Sequence, residues 1–437
     1  MVRLAAFVAT AGVLVANSAA AQNGDDVVAG TDVALTGGAV VANVHTGGAM
    51  WFNPAGVARL DARSVDLTGS VLSYNLVKAP GALTLESGPQ SPGDFSTFIA
   101  IPRALTFVAS PRVDLRWGLG FFFSRVSDRF LQDSVSAQPG QQPESDFFAA
   151  VEQTRSVYHV SSALAWKKGN DKLLIGGGFD IVFATQSGNQ ILAGGIDGGA
   201  GGASTQTITE NLSGGGLQMK FGVQVAPMKT LRIGVMVATP SYLVFLNEDR
   251  TFTETIAPPQ GPPTFQGAAT DGLSGTWSGV EPGLARAGIA WIRQRGWVEA
   301  DVIVRFALDS APFEIDWKTV ADARIGGIVR LSKRLKVGGG FSTDFSSVGS
   351  LDQLGESQID YYRFTIGFDF ANREKPPERG EGGFYLAFAV AGTYAYGKGQ
   401  LAGAFIADQS VPTDTTVNIV PITSNQFGIN LAIKAGF

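Results

Sequence analysis

The sequence predicts an all-β protein, a transmembrane antiparallel β-barrel of about 14 strands with an N-terminal plug, or hatch, inside its lumen. Three observations lead to this fold class. Apolar and polar residues alternate with a period of two through most of the chain, which is the period of a strand with two different faces. Charged residues make up 16% of the sequence, against ~25% in soluble proteins. Beyond the first residues no apolar run reaches the ~20 residues of a membrane helix, and a closed barrel is the other structure that satisfies every backbone hydrogen bond in lipid.

Residues 1–21 have the pattern of a secretory signal peptide. Arg3 is the one charge before the apolar stretch at 4–16, and the segment ends in Ala19-Ala20-Ala21, an A-x-A cleavage site. A single membrane anchor is the alternative, but the apolar stretch is shorter than the ~20 residues that a bilayer core needs. We therefore expect a signal peptide at 1–21, a hatch at 22–63 and a transmembrane barrel at 64–437.

The alternation is clearest between residues 361 and 370. The wholly apolar face consists of Tyr362, Phe364, Ile366, Phe368 and Phe370, and the other face carries charge, glycine and hydroxyl groups. A water-soluble sandwich also alternates, with its apolar face inward. Here the apolar faces are too numerous and too aromatic for one core, so we expect them to meet lipid while the polar faces line a lumen.

The candidate strands lie at 64–76, 95–109, 113–127, 155–168, 171–186, 214–226, 230–246, 281–294, 296–309, 322–333, 335–346, 358–371, 382–397 and 424–437. Short turns join them at one end. At the other end we expect long polar loops near 128–154, 187–213, 247–280, 310–321 and 398–423. Such asymmetry is typical of the periplasmic and extracellular ends of a bacterial barrel. Tryptophans near the short turns indicate an interfacial girdle formed by Trp117, Trp166, Trp291 and Trp297.

Residues 22–63 break the alternation with small residues. Gly37-Gly38 and Gly47-Gly48 permit close backbone approach, and Pro54 cannot donate a hydrogen bond to a strand ladder. The segment also carries apolar residues such as Trp51 and Phe52. We therefore expect a compact, irregular segment inside the lumen, and the alternative is a flexible periplasmic tail.

The run from Gly47 to Ala58, with Asn53-Pro54-Ala55-Gly56 at its centre, resembles the N-terminal hatch of the FadL-type family of outer-membrane transporters for long-chain fatty acids and hydrocarbons. The stretches 102–111 and 117–120 resemble the second and third strands of that family. The last strand ends in Phe437, which resembles the signal that the barrel assembly machinery reads.

This resemblance implies a passive transporter in the outer membrane of a Gram-negative cell. Its ligand would be a long-chain fatty acid or another hydrophobic small molecule, and its other partners would be outer-membrane lipids and the barrel assembly machinery. An external apolar surface would capture the ligand and an internal apolar pocket would receive it. Release would follow hatch movement or pass through an opening in the barrel wall.

Three groups of residues are candidates for capture, binding and release of the ligand. A capture patch is expected in the long loop at 128–154, where residues 144–154 have a pattern consistent with a short helix; its members are Phe130, Leu131, Phe147, Phe148 and Val151. The alternative is that these residues fasten the loop to the barrel rim.

Arg305 and Arg363 face inward by parity and are the expected partners of a ligand carboxylate. The alternative is that lumen charges pair with each other and with the hatch. Pro102, Gly118 and Gly120 indicate a lateral opening, because proline and glycine in a barrel strand often mark a bulge or a gap. Routine barrel curvature is the alternative there.

Other function classes find little support. The chain has no cysteine, a formal net charge of −5 and no basic stripe, which argues against disulfides, thiolate metal sites and a nucleic-acid partner. His45 and His159 are the two histidines. His159 lies near Ser161, which leaves an outer-membrane lipase conceivable, but a shared strand face implies no chemistry. We expect no enzyme activity, catalytic residue, metal or cofactor; the alternatives in transport are a polar-solute porin and a structural outer-membrane barrel.

Overall fold

A computed structural model describes the protein at residues 27–60, 63–112, 114–136, 144–169, 171–197, 203–257, 263–270, 278–310, 315–374, 384–406 and 415–436. Three short helices come first: α1 (Thr31–Thr36), α2 (Ala49–Phe52) and a 3₁₀ helix (Pro54–Arg59). The strands are β1 (Arg63–Lys78), β2 (Leu83–Leu85), β3 (Asp94–Ala109), β4 (Leu115–Ser136), β5 (Glu144–Lys168), β6 (Leu173–Asp197), β7 (Ala203–Met228), β8 (Leu231–Ala238), β9 (Ser241–Ala257), β10 (Thr264–Thr270), β11 (Ser278–Glu281), β12 (Leu284–Arg293), β13 (Gly296–Arg305), β14 (Leu308–Ser310), β15 (Ile315–Trp317), β16 (Val320–Arg330), β17 (Leu335–Asp344), β18 (Ser357–Ala371), β19 (Tyr385–Ile406) and β20 (Thr415–Gly436). Among the described residues, no helix is long and apolar enough to cross a membrane.

The wall is a closed antiparallel barrel of 14 strands. Neighbours along the chain pair with each other, and β1 pairs with β20 from Ser64↔Gly436 to Lys78↔Thr423, which closes the cylinder. Two wall strands are interrupted. β8 and β9 follow one another and both pair with β7, while β10, β11 and β12 together occupy the next position. The predicted fold class and strand number are therefore confirmed.

The two faces of the wall differ as the alternation predicts. Outward side chains form an apolar belt, in which Phe221 is 57% and Ile366 is 70% exposed. Inward positions include fully buried charged groups such as Glu299 and Asp301. This reversed distribution is that of a barrel in the outer membrane.

The strands extend far beyond the predicted spans at the long-loop end. β4 and β5 remain paired up to Ser136↔Asp146, and β6 and β7 up to Gly195↔Ala203. The expectation of long polar loops at 128–154 and 187–213 was therefore wrong for most of their length. Polar residues on both faces remove the sequence contrast there, but each added residue still gains ladder hydrogen bonds from an existing neighbour strand.

Shorter segments fold inward and close the outer end of the lumen. β2 lies parallel to the end of β19, with Leu83 opposite Ala404, and the hairpin β14–β15 places Trp317 in a buried apolar cluster. Residues 27–60 fill the end nearest the short turns. The lumen of the barrel is thus filled at both of its ends.

Candidate functional site

The hatch, residues 27–60 in the described part of the chain, is organised around Asn53. The Asn53 Oδ1 accepts a hydrogen bond from the Ala55 N–H (3.1 Å), which caps the 3₁₀ helix that begins at Pro54. The Asn53 Nδ2 donates to the carbonyl of Val41 (2.9 Å), so that two hatch segments are joined through one amide. Asn53 is fully buried and lies inside the barrel.

Inward-facing glycines allow the hatch to approach the wall closely. A Cβ at Gly176 would overlap the backbone of Pro54, and one at Gly222 would overlap the Asn53 side chain. Gly118 and Gly120 lie on the inner face of β4, and a Cβ at either position would crowd the hatch residue Met50. These glycines therefore make room for the hatch.

Charged wall residues hold the hatch by its backbone. Wall carboxylates accept hydrogen bonds from hatch N–H groups: Asp301 from Val40 (2.8 Å) and Val41 (3.2 Å), Glu299 from Ala42 (2.5 Å) and Asp66 from Gly47 (2.8 Å). Wall cations donate to hatch carbonyls: Arg286 to Trp51 (2.6 Å), Arg116 to Leu60 (3.2 Å) and Lys434 to His45 (3.0 Å). The polar lumen is thus matched to an irregular segment whose backbone groups would otherwise lack partners.

A buried charged network adjoins the hatch residue Trp51. The His159 Nδ1 lies 3.1 Å from Asp180 Oδ2, and its Nε2 lies 3.1 Å from Glu281 Oε2. Lys220 forms an ion pair with Asp180, and its Nζ is 4.1 Å from the centre of the Trp51 ring. The His159 ring meets Trp51 edge-on at 4.9 Å. Trp51 therefore closes off the network from the hatch side.

The pKa values of His45 and Asp32, two neighbouring hatch residues, are perturbed. Burial lowers the pKa of His45 well below its usual range, and neighbouring Arg59 adds to the effect. Burial raises the pKa of Asp32, although hydrogen bonds from Thr46 and from the His45 N–H oppose the rise. His45 is therefore neutral at physiological pH.

The predicted capture residues lie in an apolar cluster at the outer end of the barrel, which we call the outer cluster. Its members include Val77, Leu83, Leu85, Phe95, Leu131, Phe147, Val151, Leu192, Ile359, Tyr361, Leu401 and Ile422. Leu131, Phe147 and Val151 are at most 4% exposed, whereas Phe148 is 36% exposed on the outer face. The side chain of Phe130 lies outside the described residues.

The predicted helix at 144–154 was wrong. The segment belongs to β5, which pairs with β4 on one side and β6 on the other. Because alternate residues of a strand share a face, Phe147 and Val151 point inward while Phe148 points outward. Ladder hydrogen bonds on both sides stabilise this strand, whereas an isolated helix of this length is marginal in water.

A small cavity lies between α1 and the inner faces of β1, β18, β19 and β20, and we call it the lumen cavity. It has a volume of about 80 Å³, and Arg103, Arg324 and Arg363 line it together with hydroxyl and amide groups. Arg363 also lies 3.5 Å from Asp344. Arg305 does not line this cavity and is paired with Asp322 (2.6 Å) and Asp344 (3.1 Å). Of the two predicted carboxylate partners, the structure thus places only Arg363 beside the lumen cavity.

The barrel wall is incomplete between β3 and β4. The two strands pair only from Ala104↔Phe122 to Ala109↔Trp117. In the described residues above this point, β3 pairs with β1 alone and β4 with β5 alone. Both strands are also irregular there: β3 shifts register beside Pro102 and β4 shifts between Arg125 and Ser127. We call the unpaired stretch the wall gap.

A bulge beside the wall gap interrupts the alternation of inward and outward side chains in β3. Both Arg103 and Ala104 are buried and inward-facing, because a bulge at Arg103 doubles one inward position. Pro102 lies at the lower end of the gap, just above the last β3–β4 pair. Gly118 and Gly120 lie below it, in the paired part of β4.

The described residues offer little for catalysis. His159 contacts carboxylates, and the neighbouring Ser161 hydroxyl has no hydrogen-bond partner in the described part of the chain. No group of three potential ligands among the described residues is arranged to hold a metal ion.

The fold has counterparts among solved structures. The chain is 14% identical to a FadL homologue from Pseudomonas aeruginosa over 96% of this chain and 99% of that one, with a TM-score of 0.59. It is 15% identical to the toluene transporter TodX from P. putida, over 94% of this chain and 99% of that one, with a TM-score of 0.55. The monoaromatic hydrocarbon channel CymD gives 12% identity over 94% and 98% of the two chains, with a TM-score of 0.55.

No protein-family profile matches the sequence, and no curated protein matches it by sequence. The likeness is therefore one of fold, at an identity where sequence comparison alone finds nothing. The FadL-type fold expected from the hatch motif is the fold of this chain.

Proposed function

We propose that this protein is an outer-membrane channel that carries hydrophobic small molecules through the barrel and releases them through the wall gap. The observation that carries the proposal is the wall gap itself, in a barrel whose lumen is filled by a hatch. A polar-solute porin needs an open aqueous bore, and residues 27–60 occupy that space. A lateral opening instead joins the barrel interior to the hydrocarbon of the membrane.

The outer cluster supplies the apolar start of this route. Leu131, Phe147 and Val151 of the cluster belong to β4 and β5, and Phe95 belongs to β3, so the cluster adjoins the wall gap. A solute that displaces these side chains exchanges one apolar contact for another and needs no hydration on the way. Phe148 is exposed beside the gap and supports a first contact at the outer surface.

The fold and the lining support the ligand class that we propose. The similar structures include a toluene transporter and a monoaromatic hydrocarbon channel, and the family that the hatch motif resembles also takes long-chain fatty acids. Arg363 at the lumen cavity supports an acid with an apolar tail, since a guanidinium binds carboxylates well. The lumen cavity is small and polar, so an apolar solute must open its own space in the outer cluster.

The test closes the wall gap with a reversible bridge. Ser96→Cys and Ser134→Cys place thiols on both sides of a recess at the gap, in a chain that has no other cysteine. A bis-maleimide with a disulfide in its spacer joins them. We measure uptake of radiolabelled oleate and toluene by Gram-negative cells that lack their own transporter. Uptake should fall to background after bridging and return after reduction.

The matched control bridges two strands that are already paired. Glu152→Cys and Asn189→Cys lie opposite each other on β5 and β6, and their bridge should leave uptake unchanged. Undiminished uptake through the bridged gap refutes lateral release. A steady ohmic conductance of the wild-type protein in planar bilayers would favour the polar-solute porin instead.

A further inference from the structure

A second cavity opens beneath the hatch, at the short-turn end of the barrel, and we call it the sub-hatch cavity. It has a volume of about 380 Å³. The hatch contributes Asp32, Asn43, His45 and Arg59 to its roof, and its sides come from the turn between β12 and β13 and from the ends of β8, β16, β17 and β20. It is separate from the lumen cavity, with which it shares no lining residue.

Positive charge is in excess here. The cationic lining residues are Arg59, Arg232, Arg293, Arg295, Arg330, Lys336 and Lys434, and the acidic ones are Asp32, Asp369 and Glu374. Asp369 is paired with Lys336 (2.8 Å) and Glu374 with Arg330 (3.2 Å). Asp32 accepts hydrogen bonds from within the hatch. The carboxylates are thus occupied, and within the described residues Arg59, Arg232, Arg293 and Arg295 form no ion pair with a carboxylate of the cavity.

Arg59 is the cation whose unpartnered donor groups would be best satisfied by a bound anion. Its Nε and Nη1 are buried and have no hydrogen-bond partner within the described ranges. Burial and the neighbouring Arg232 lower its pKa to about 9, which leaves it protonated at neutral pH. Asn43 lines the same cavity, and its Nδ2 also lacks a partner there, while its Oδ1 faces Arg232 and His45. Unsatisfied buried donors of this kind favour an oxyanion.

Part of the remaining lining is apolar. Leu60, Ile292, Trp297, Ile328 and Tyr385 contribute side chains to the cavity. Trp297, which the sequence placed in an outward girdle, contributes to this inner lining instead. A simple inorganic anion would leave these surfaces in water, whereas an anion with a short hydrocarbon body would cover them.

We propose that the sub-hatch cavity is a binding site for a small amphipathic carboxylate, with Arg59 as the residue that contacts the carboxylate. The site faces the periplasmic end, and its occupation does not depend on the release route proposed above. A bound carboxylate would also tie the hatch to the wall, because Arg59 belongs to the hatch and Arg232 to β8.

The test is calorimetric titration of the purified full-length protein in a maltoside detergent. The probe is decanoate below its critical micelle concentration, and the reference probes are acetate, inorganic phosphate and 1-decanol. Decanoate should bind more tightly than each reference. Arg59→Gln should weaken decanoate binding about tenfold or more, because a charge-assisted hydrogen-bond pair is lost. Arg59→Lys keeps the charge but loses the planar donor pair, and it should weaken binding by a smaller factor.

One control separates this site from the exposed charges around it. Arg112→Gln removes an exposed arginine at the same end of the barrel and should change nothing. The proposal is overturned if Arg59→Gln and Arg59→Lys both bind like the wild type, if Arg112→Gln weakens binding as much as Arg59→Gln does, or if phosphate or acetate binds as tightly as decanoate. Uptake through the wall gap is measured in a separate experiment. Failure of the uptake test therefore does not refute carboxylate binding in the sub-hatch cavity, and failure of the binding test does not refute lateral release.

Discussion

The anchoring of the hatch by Asp301 gives the sharpest quantitative prediction. Asp301 is buried on β13, and one of its oxygens accepts hydrogen bonds from the N–H groups of Val40 (2.8 Å) and Val41 (3.2 Å). Asp301→Ala removes the acceptor of both. A buried donor without a partner costs about 1–3 kcal/mol, so the loss of the pair should weaken this part of the hatch by about 3 kcal/mol.

Hydrogen exchange measures this change at the two amides themselves. Because about 1.4 kcal/mol corresponds to a factor of ten, the amides of Val40 and Val41 should exchange roughly 100-fold faster in Asp301→Ala. Asp301→Asn keeps one oxygen acceptor and should give a smaller acceleration.

The control removes a buried carboxylate that does not touch the hatch. Asp322 on β16 pairs with Arg305 and accepts from the Phe345 N–H, both outside the hatch. Asp322→Ala should leave the exchange of Val40 and Val41 as it is in the wild type. Equal exchange in wild type and Asp301→Ala, or equal acceleration in both variants, refutes anchoring by Asp301.

Three further predictions concern the hatch and the outer cluster. Gly176→Val adds a side chain where even a Cβ overlaps Pro54, so the hatch should shift and planar bilayers should record conductance steps absent from the wild type. His45 is neutral in the folded hatch, whereas an unfolded histidine takes up a proton below about pH 6.5, so the hatch should lose stability as the pH falls through that value. Hydrogen exchange, corrected for intrinsic rates, should show this loss in the wild type but not in His45→Gln. Phe147→Ala should lower the stability of the outer cluster by about 3–5 kcal/mol in denaturant titrations, whereas Phe148→Ala, at an exposed position, should cost far less.

The barrel wall was predictable because its signal repeats. Each membrane-spanning strand has one face in lipid and one in the polar lumen, so apolar and polar residues alternate with a period of two in every such strand. The extensions beyond the membrane carry no such signal. In β5 the residues Phe147, Phe148 and Val151 suit a helix or a strand equally well on spacing alone, and the neighbouring strands decide between them. That information is not local.

The pairing of charges inside the lumen could not be predicted from the sequence. Parity identifies Asp301, Arg305 and Arg363 as inward-facing, but it does not say which inward charges meet. Arg305 pairs with residues of β16 and β17, while Asp301 binds the backbone of a segment about 260 positions earlier in the chain. In the sequence the wall gap leaves only an indirect trace: Arg103, beside Pro102, interrupts the alternation of apolar and polar residues in this strand. A single bulge explains that interruption, but the unpaired stretch above it is visible only when both strands are placed.

The hatch contacts bear directly on how a solute leaves the barrel. Seven hydrogen bonds join charged wall side chains to the hatch backbone. A hydrogen bond to a charged group contributes about 1.5–3 kcal/mol, and a route that expels the whole hatch has to break all seven. The wall gap begins above Ala104 and adjoins the outer cluster, so a solute from the outer end reaches it without breaking any of these bonds. These bonds support the proposed lateral route, in which the hatch stays in place and the apolar side chains of the outer cluster move.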